Sequence, residues 1–111
     1  MVLRIWRGWT TPANADAYER IVSTAVLPGI AARNVPGYHG AFLLRRELPD
    51  DDEVEFATIM HFDSLDAVRA FAGDDYETAY VPPDARAVLK RFDERSAHYD
   101  VLMTPERPAA V

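Results

Sequence analysis

The sequence contains no cysteine, which removes a disulfide framework, a thiolate nucleophile and any Cys-ligated zinc. It has no run of Lys or Arg, and 12 basic residues against 18 acidic ones leave a net charge of −6. Phosphate backbones and anionic lipid surfaces both require clustered positive charge, so neither nucleic acid nor membrane is an expected partner. No apolar stretch approaches the roughly 18–20 residues that cross a bilayer. The opening Met1-Val2-Leu3-Arg4-Ile5-Trp6-Arg7 alternates charged and apolar residues, unlike the unbroken apolar segment of a signal peptide. There is no Gly-rich phosphate loop, serine elbow or dinucleotide fingerprint. The three histidines, His39, His61 and His98, lack metal-ligand spacing. The acidic runs Asp50 to Glu53 and Asp74-Asp75 lack the alternating ligands and central glycine of a calcium loop. These absences lead to the expectation of a cytoplasmic, soluble, acidic protein with no metal.

What is present suits a single core. The 111 residues, 49% of them hydrophobic, are enough for one layer of helices on one sheet. One domain is expected over residues 1–103, with a frayed tail over 104–111. Val2 to Trp9 is rich in β-branched and aromatic residues and reads as a strand. Thr11-Pro12 signals a helix start. Tyr18, Ile21, Val22 and Ala25 recur at helical spacing behind it, and Pro28-Gly29 should break or kink that helix. Tyr38 to Leu48 and Val54 to Phe62 read as a hairpin joined by Pro49 to Asp52. Asp63-Ser64 caps a helix from Leu65 to Ala72, which Gly73 ends. One or two helical turns are expected over Asp74 to Val81, a short stripe at Ala85, Val88, Leu89 and Phe92, and a last strand over Arg95 to Leu102. The order β-α-β-β-α-α-β is that of an α+β, ferredoxin-like domain: a four-stranded antiparallel sheet with helices on one face.

A sheet covered on one face alone should alternate apolar and polar residues. These strands do not. Val54, Phe56, Met60 and Phe62 share one parity of the third strand, while Ala57 and Ile59 occupy the other. A second copy packed sheet to sheet would remove that exposed apolar surface, so a homodimer is expected. The competing readings are that the strand ends lie elsewhere, or that the sheet curls enough to shield its own second face.

Three segments carry a resemblance. The strand Arg4-Ile5-Trp6-Arg7-Gly8, the passage from Phe62 to Gly73 (FDSLDAVRAFAG) and the closing His98-Tyr99-Asp100-Val101 together resemble the antibiotic biosynthesis monooxygenase family. The resemblance spans roughly residues 2–102. It implies a dimeric α+β barrel with a pocket in each protomer between sheet and helices. Relatives oxidise anthrones or quinols with molecular oxygen and neither metal nor flavin; others degrade haem. The family often carries tryptophan at the end of the third strand and histidine nine residues later, the iron ligand in the haem degraders. Here those positions are Phe62 and Phe71, which disfavours the haem-degrading branch.

Oxygenation without a cofactor needs a base, donors that stabilise an anion, and a dry aromatic surface. His98, sharing parity with Ser96 and Asp100, is the leading base candidate; the alternatives are a solvent-facing edge strand or a triplet that makes hydrogen bonds across the dimer. Arg4, a charge inside an apolar strand, either stabilises a substrate anion or pairs with a carboxylate such as Asp100. Tyr76 is a second anion stabiliser. Trp6, Phe56, Thr58, Phe62 and Phe71 are expected to line the cavity, or to be plain core. His61 should face the opposite side from Phe62, and His39 should be exposed. The expected function is a cofactor-independent monooxygenase acting with O2 on a small aromatic, quinol-like or polyketide-derived substrate. The alternative is a non-enzymatic dimer of the same fold that binds a small hydrophobic molecule or serves a stress-related role.

Overall fold

The long strands β1 (Val2–Thr10), β2 (Tyr38–Leu48) and β3 (Glu53–Phe62) form the centre of the sheet in a computed structural model that describes residues 1–105. β3 pairs antiparallel with both β2 and β1, with Phe42 opposite Ile59 and Trp6 opposite Thr58. The other edge of β1 carries two short strands in line, β4 (Arg91–Phe92) beside Gly8 and Trp9, and β5 (Ala97–Asp100) beside Val2 to Ile5. The fourth strand expected over Arg95 to Leu102 is therefore shorter and has a partner piece ahead of it. Asp93 N–H still donates to Arg7 O, but residues 94–96 leave the β1 ladder, and two of them bond to a crossing segment instead. Ser96 N–H donates to Glu77 O, and Ala79 N–H donates to Glu94 O. That competition also explains why no helix forms over Asp74 to Val81. Pro82-Pro83 disfavours helical backbone just before it, and the peptide groups of 77–79 find their partners across the gap, with Thr78 bridging to Arg95.

The first helix begins later than Thr11-Pro12 suggests. Thr11 makes no side-chain cap; a 3-10 turn over Pro12–Asn14 precedes α1 (Ala15–Ile21). Pro28 then fails to break the helix. A π turn over Val22–Val26 intervenes, in which Leu27 N–H donates to Val22 O, and α2 (Leu27–Ala32) follows with Pro28 in its first turn. The wider π turn re-registers the hydrogen bonds, so the missing proline donor falls where a new helical segment has none to give. α3 (Leu65–Ala72) matches its expected bounds. Ser64 Oγ accepts from Ala67 N–H, and Gly73, at φ +87°, closes the helix with its own N–H on Arg69 O. α4 (Pro83–Val88) is shorter than the Ala85 to Phe92 stripe, because Leu89 is already extended and Phe92 belongs to β4.

The helices cover one sheet face. Even-numbered residues of β1 and β3 point at them: Val54, Phe56 and Phe62 are fully buried, and Val2 and Met60 nearly so. Tyr18, Val22, Val81 and Ala85 pack with Phe56 in one cluster, and Ala67 and Val68 pack with Phe62 in another. The opposite face divides in two. At one end Trp9 is roofed by the guanidinium groups of Arg7 and Arg91, and Glu53 is held by Arg91 and Lys90. At the other end Leu3, Ile5, Ile59, Phe42, Leu44 and Tyr99 share the surface, the last three openly exposed. No helix of the described residues is long and apolar enough to cross a membrane. Most of the expected tail lies outside the described residues.

Candidate active site

Between the helices and the sheet lies a cavity of about 340 Å³, within the range of small-molecule sites. Its floor is the helix-facing side of the sheet, from which Arg4, Trp6, Thr58 and Met60 project. Its wall is the π turn and α2, through Val22, Val26, Leu27 and Ile30, with Arg33 at the end. Phe71 of α3 and the extended segment from Ala79 to Pro82 complete it. Aliphatic and aromatic carbon dominates the surface, and among the described residues no Asp, Glu or His lines it.

Local sequence explains the two most specific side chains. Trp6 lies along its own strand because Gly8 has no side chain; a Cβ there would sit 2.8 Å from the indole ring. The indole Nε1–H donates to Asp93 O at 2.7 Å, so its polar edge is satisfied. Arg4 is 6% exposed. Its Nη1 donates to Tyr76 O and, at 2.9 Å, to His98 Nε2, while its guanidinium lies 5.7 Å from the Phe71 ring. Burial lowers its pKa, yet an arginine remains charged at neutral pH. The expected pairing with Asp100 is absent: Asp100 stands opposite Val2 at the strand end, and neutral acceptors hold the cation instead.

His98 and Tyr76 lie next door. They line a smaller recess of about 230 Å³ with Val2, Glu77 and Asp100, on the far side of Arg4 from the cavity. Their rings meet edge to face at 5.1 Å. Because Nε2 accepts from Arg4, the imidazole proton is assigned to Nδ1, which is buried and without a partner among the described residues. Desolvation, then the Arg4 charge, lowers the His98 pKa despite the opposing pull of Glu77, so the ring is neutral at pH 7. Of the residues expected at the site, the structure brings Arg4, Trp6, Thr58 and Phe71 to the cavity. Phe56 and Phe62 lie behind it in the core, packed on Tyr18 and on Phe71. His61 lies on the opposite sheet face against Phe42, and His39 is exposed and paired with Asp63.

The sequence reading missed Arg33, Tyr18 and the segment around Tyr80. Tyr18 looked like one more core position of an amphipathic helix. It is 3% exposed, and burial holds its phenol well above the usual range, leaving it a neutral donor. Arg33 donates to Phe71 O at 2.9 Å and stands 4.8 Å from the Phe71 ring. Only the position of Arg33 one turn beyond Ile30 offered a signal for it.

No family model matches the sequence, and neither does any curated protein. Solved structures do. An antibiotic biosynthesis monooxygenase assignment from Bacillus cereus is 13% identical, with a TM-score of 0.60 over 96% of this chain and 97% of its own. The fold is that of the antibiotic biosynthesis monooxygenases. The haem degrader MhuD of Mycobacterium tuberculosis, solved with two haems in its active site, shares this fold at 21% identity and a TM-score of 0.58, over 96% of this chain and 100% of its own. A monooxygenase of Streptomyces coelicolor, ActVA-Orf6 bound to nanaomycin D, shares it at 18% identity and 0.53, over 99% and 90%. Within this antibiotic biosynthesis monooxygenase fold, the haem of the degraders is a poor match for the residues here. Phenylalanine stands at 71, where the resemblance places the iron-ligating histidine, and among the described residues no histidine lines the cavity.

Proposed function

We propose that this chain is a monooxygenase that oxidises a small aromatic, quinol-like or polyketide-derived molecule with O2 in the cavity of about 340 Å³, without a cofactor. The observation that carries the reading is a buried arginine with no acidic partner among the described residues, bordering an otherwise apolar, aromatic space. A phenol, enol or anthrone loses a proton there and becomes an anion beside Arg4, in surroundings dry enough to make that charge pairing strong. His98, neutral and one hydrogen bond behind Arg4, is the base once its Nε2 gives up the Arg4 hydrogen bond to receive the proton, and Tyr76 holds both in place through its carbonyl and ring edge. The anion passes one electron to O2, and the resulting pair combines to a peroxide. Protonation by His98 and loss of water then leave a new carbonyl, with one oxygen atom in product and one in water. Trp6 and Phe71 flank the ring, and Thr58 offers it a hydroxyl.

The working form in this reading is a homodimer joined through the exposed sheet faces, the apolar end of which carries Phe42, Leu44 and Tyr99. Oxygen uptake with a panel of anthrones and quinols tests the chemistry. Turnover by the wild type with at least a hundredfold loss in His98→Ala is expected, the usual scale for a general base. Absent turnover, or turnover indifferent to the substitution, contradicts it. One feature favours a second reading, a ligand-binding protein without turnover: His98 lies outside the cavity lining, and its Nε2 lone pair is already engaged. Aromatic ligands bound without oxygen consumption would select that reading.

A further inference from the structure

Two guanidinium groups border the cavity, and among the described residues neither is paired with a carboxylate. This is unusual in a chain with 18 acidic residues. Arg45 is held by Asp16, Glu19 and Glu47, Arg91 by Glu53, Arg46 by Glu55 and Arg95 by Glu77. Arg20 and Arg86 also lack acidic partners among the described residues, but both are exposed and neither lines the cavity, Arg86 lying over Phe92 instead. Arg4 and Arg33 differ because each is fixed against Phe71, one buried at the floor and one at the rim. A neutral apolar occupant would seal Arg4 away from solvent as an uncompensated charge, which is costly. A negatively charged occupant lowers that cost, because both guanidinium groups lie against the one Phe71 ring and are near enough to share its charge.

We infer that the cavity selects an acidic aromatic ligand, a flat ring system bearing a permanent carboxylate or comparable anionic group that Arg33 meets at the rim, its rings lying against Phe71 and Trp6. The inference builds on the proposed oxygenase site by naming the class of its substrate. Arg33 takes the permanent charge, which leaves Arg4 free for the oxygen that is deprotonated during the reaction. Guanidinium suits the first task because its planar donors match a carboxylate in two-point contact.

Two fluorescent probes separate the charge from the rings: 1-anilinonaphthalene-8-sulfonate and its uncharged counterpart N-phenyl-1-naphthylamine, titrated into the 111-residue chain at low ionic strength. The anionic probe is expected to bind at least roughly tenfold more tightly. Arg33→Gln should erase most of that preference while leaving the neutral probe within about twofold, Arg33→Lys should restore part of it, and Arg20→Gln should leave it intact. Equal affinities in the wild type, an unchanged ratio in Arg33→Gln, or an equal loss in Arg20→Gln would each overturn the inference. The assay consumes no oxygen, so the two proposals fail separately. Preference for the anion with a silent oxygen electrode retires the oxygenase and keeps the ligand class, whereas turnover of neutral quinols with no probe preference does the reverse.

Discussion

Glu53 shows at the scale of one residue how this acidic chain tolerates a buried charge. Its carboxylate is 6% exposed on the outer sheet face, where Arg91 makes two hydrogen bonds to it and Lys90 adds an ion pair. The Arg91 hydrogen bonds hold its pKa down, to about 2, against the opposing effect of burial. A carboxylate whose folded pKa lies below its unfolded value stabilises the fold fully above the unfolded value, near 4.5. That contribution disappears as pH falls from there toward 2. Thermal melts across the acidic range should therefore show the wild type losing stability more steeply below about pH 4.5 than Glu53→Gln. Parallel curves for the two proteins would contradict this account of the residue. Arg4 is the complementary case, a buried cation with no carboxylate beside it among the described residues, and the proposed role rests on that contrast.

Among the elements, the sheet makes the strongest claim, because its two faces differ in what covers them. The helix-facing side is closed by α1 to α4. The other side is closed at one end by ion pairs and the stacked guanidinium groups over Trp9, and is left apolar at the other. Apolar side chains left in water forfeit about 25 cal/mol per Å² of the stabilisation they would gain on burial. Burying Phe42, Leu44 and Tyr99 against a second copy recovers it. Sedimentation of the wild type should give twice the 12.5 kDa chain mass, and Phe42→Lys should give a single chain with its helical content unchanged. A wild type that remains a single chain at working concentration would remove the dimer from the account. The π turn of Val22–Val26 is the other telling element. It carries the helix past Pro28 and supplies Val22 and Val26 to the cavity wall, so the irregularity and the site coincide.

For the molecule as a whole, the pattern of apolar residues made the architecture legible, since strand parity and helical spacing are local properties of the chain. The β2–β3 hairpin and α3 with its Ser64 cap followed from it closely. Elements decided by competition between distant segments did not. The 77–79 stretch pairs with 94–96 rather than coiling, and Pro28 is absorbed by a π turn. At the site, Arg4, Trp6, Thr58 and Phe71 were readable as odd or aromatic residues on one strand parity or helix face. Arg33 and the Ala79 to Pro82 wall were not, because only the tertiary path of the chain brings them there.

The account rests on ligands entering between helices and sheet, and the two tryptophans report on the two sides of the sheet. Trp6 lines the cavity, while Trp9 lies three residues on and on the opposite face under Arg91. Titrating an aromatic quinol into 15N-labelled protein and following the two indole N–H signals tests this directly. The Trp6 signal should move saturably while that of Trp9 stays in place; movement of Trp9 alone, or of neither, would contradict the account.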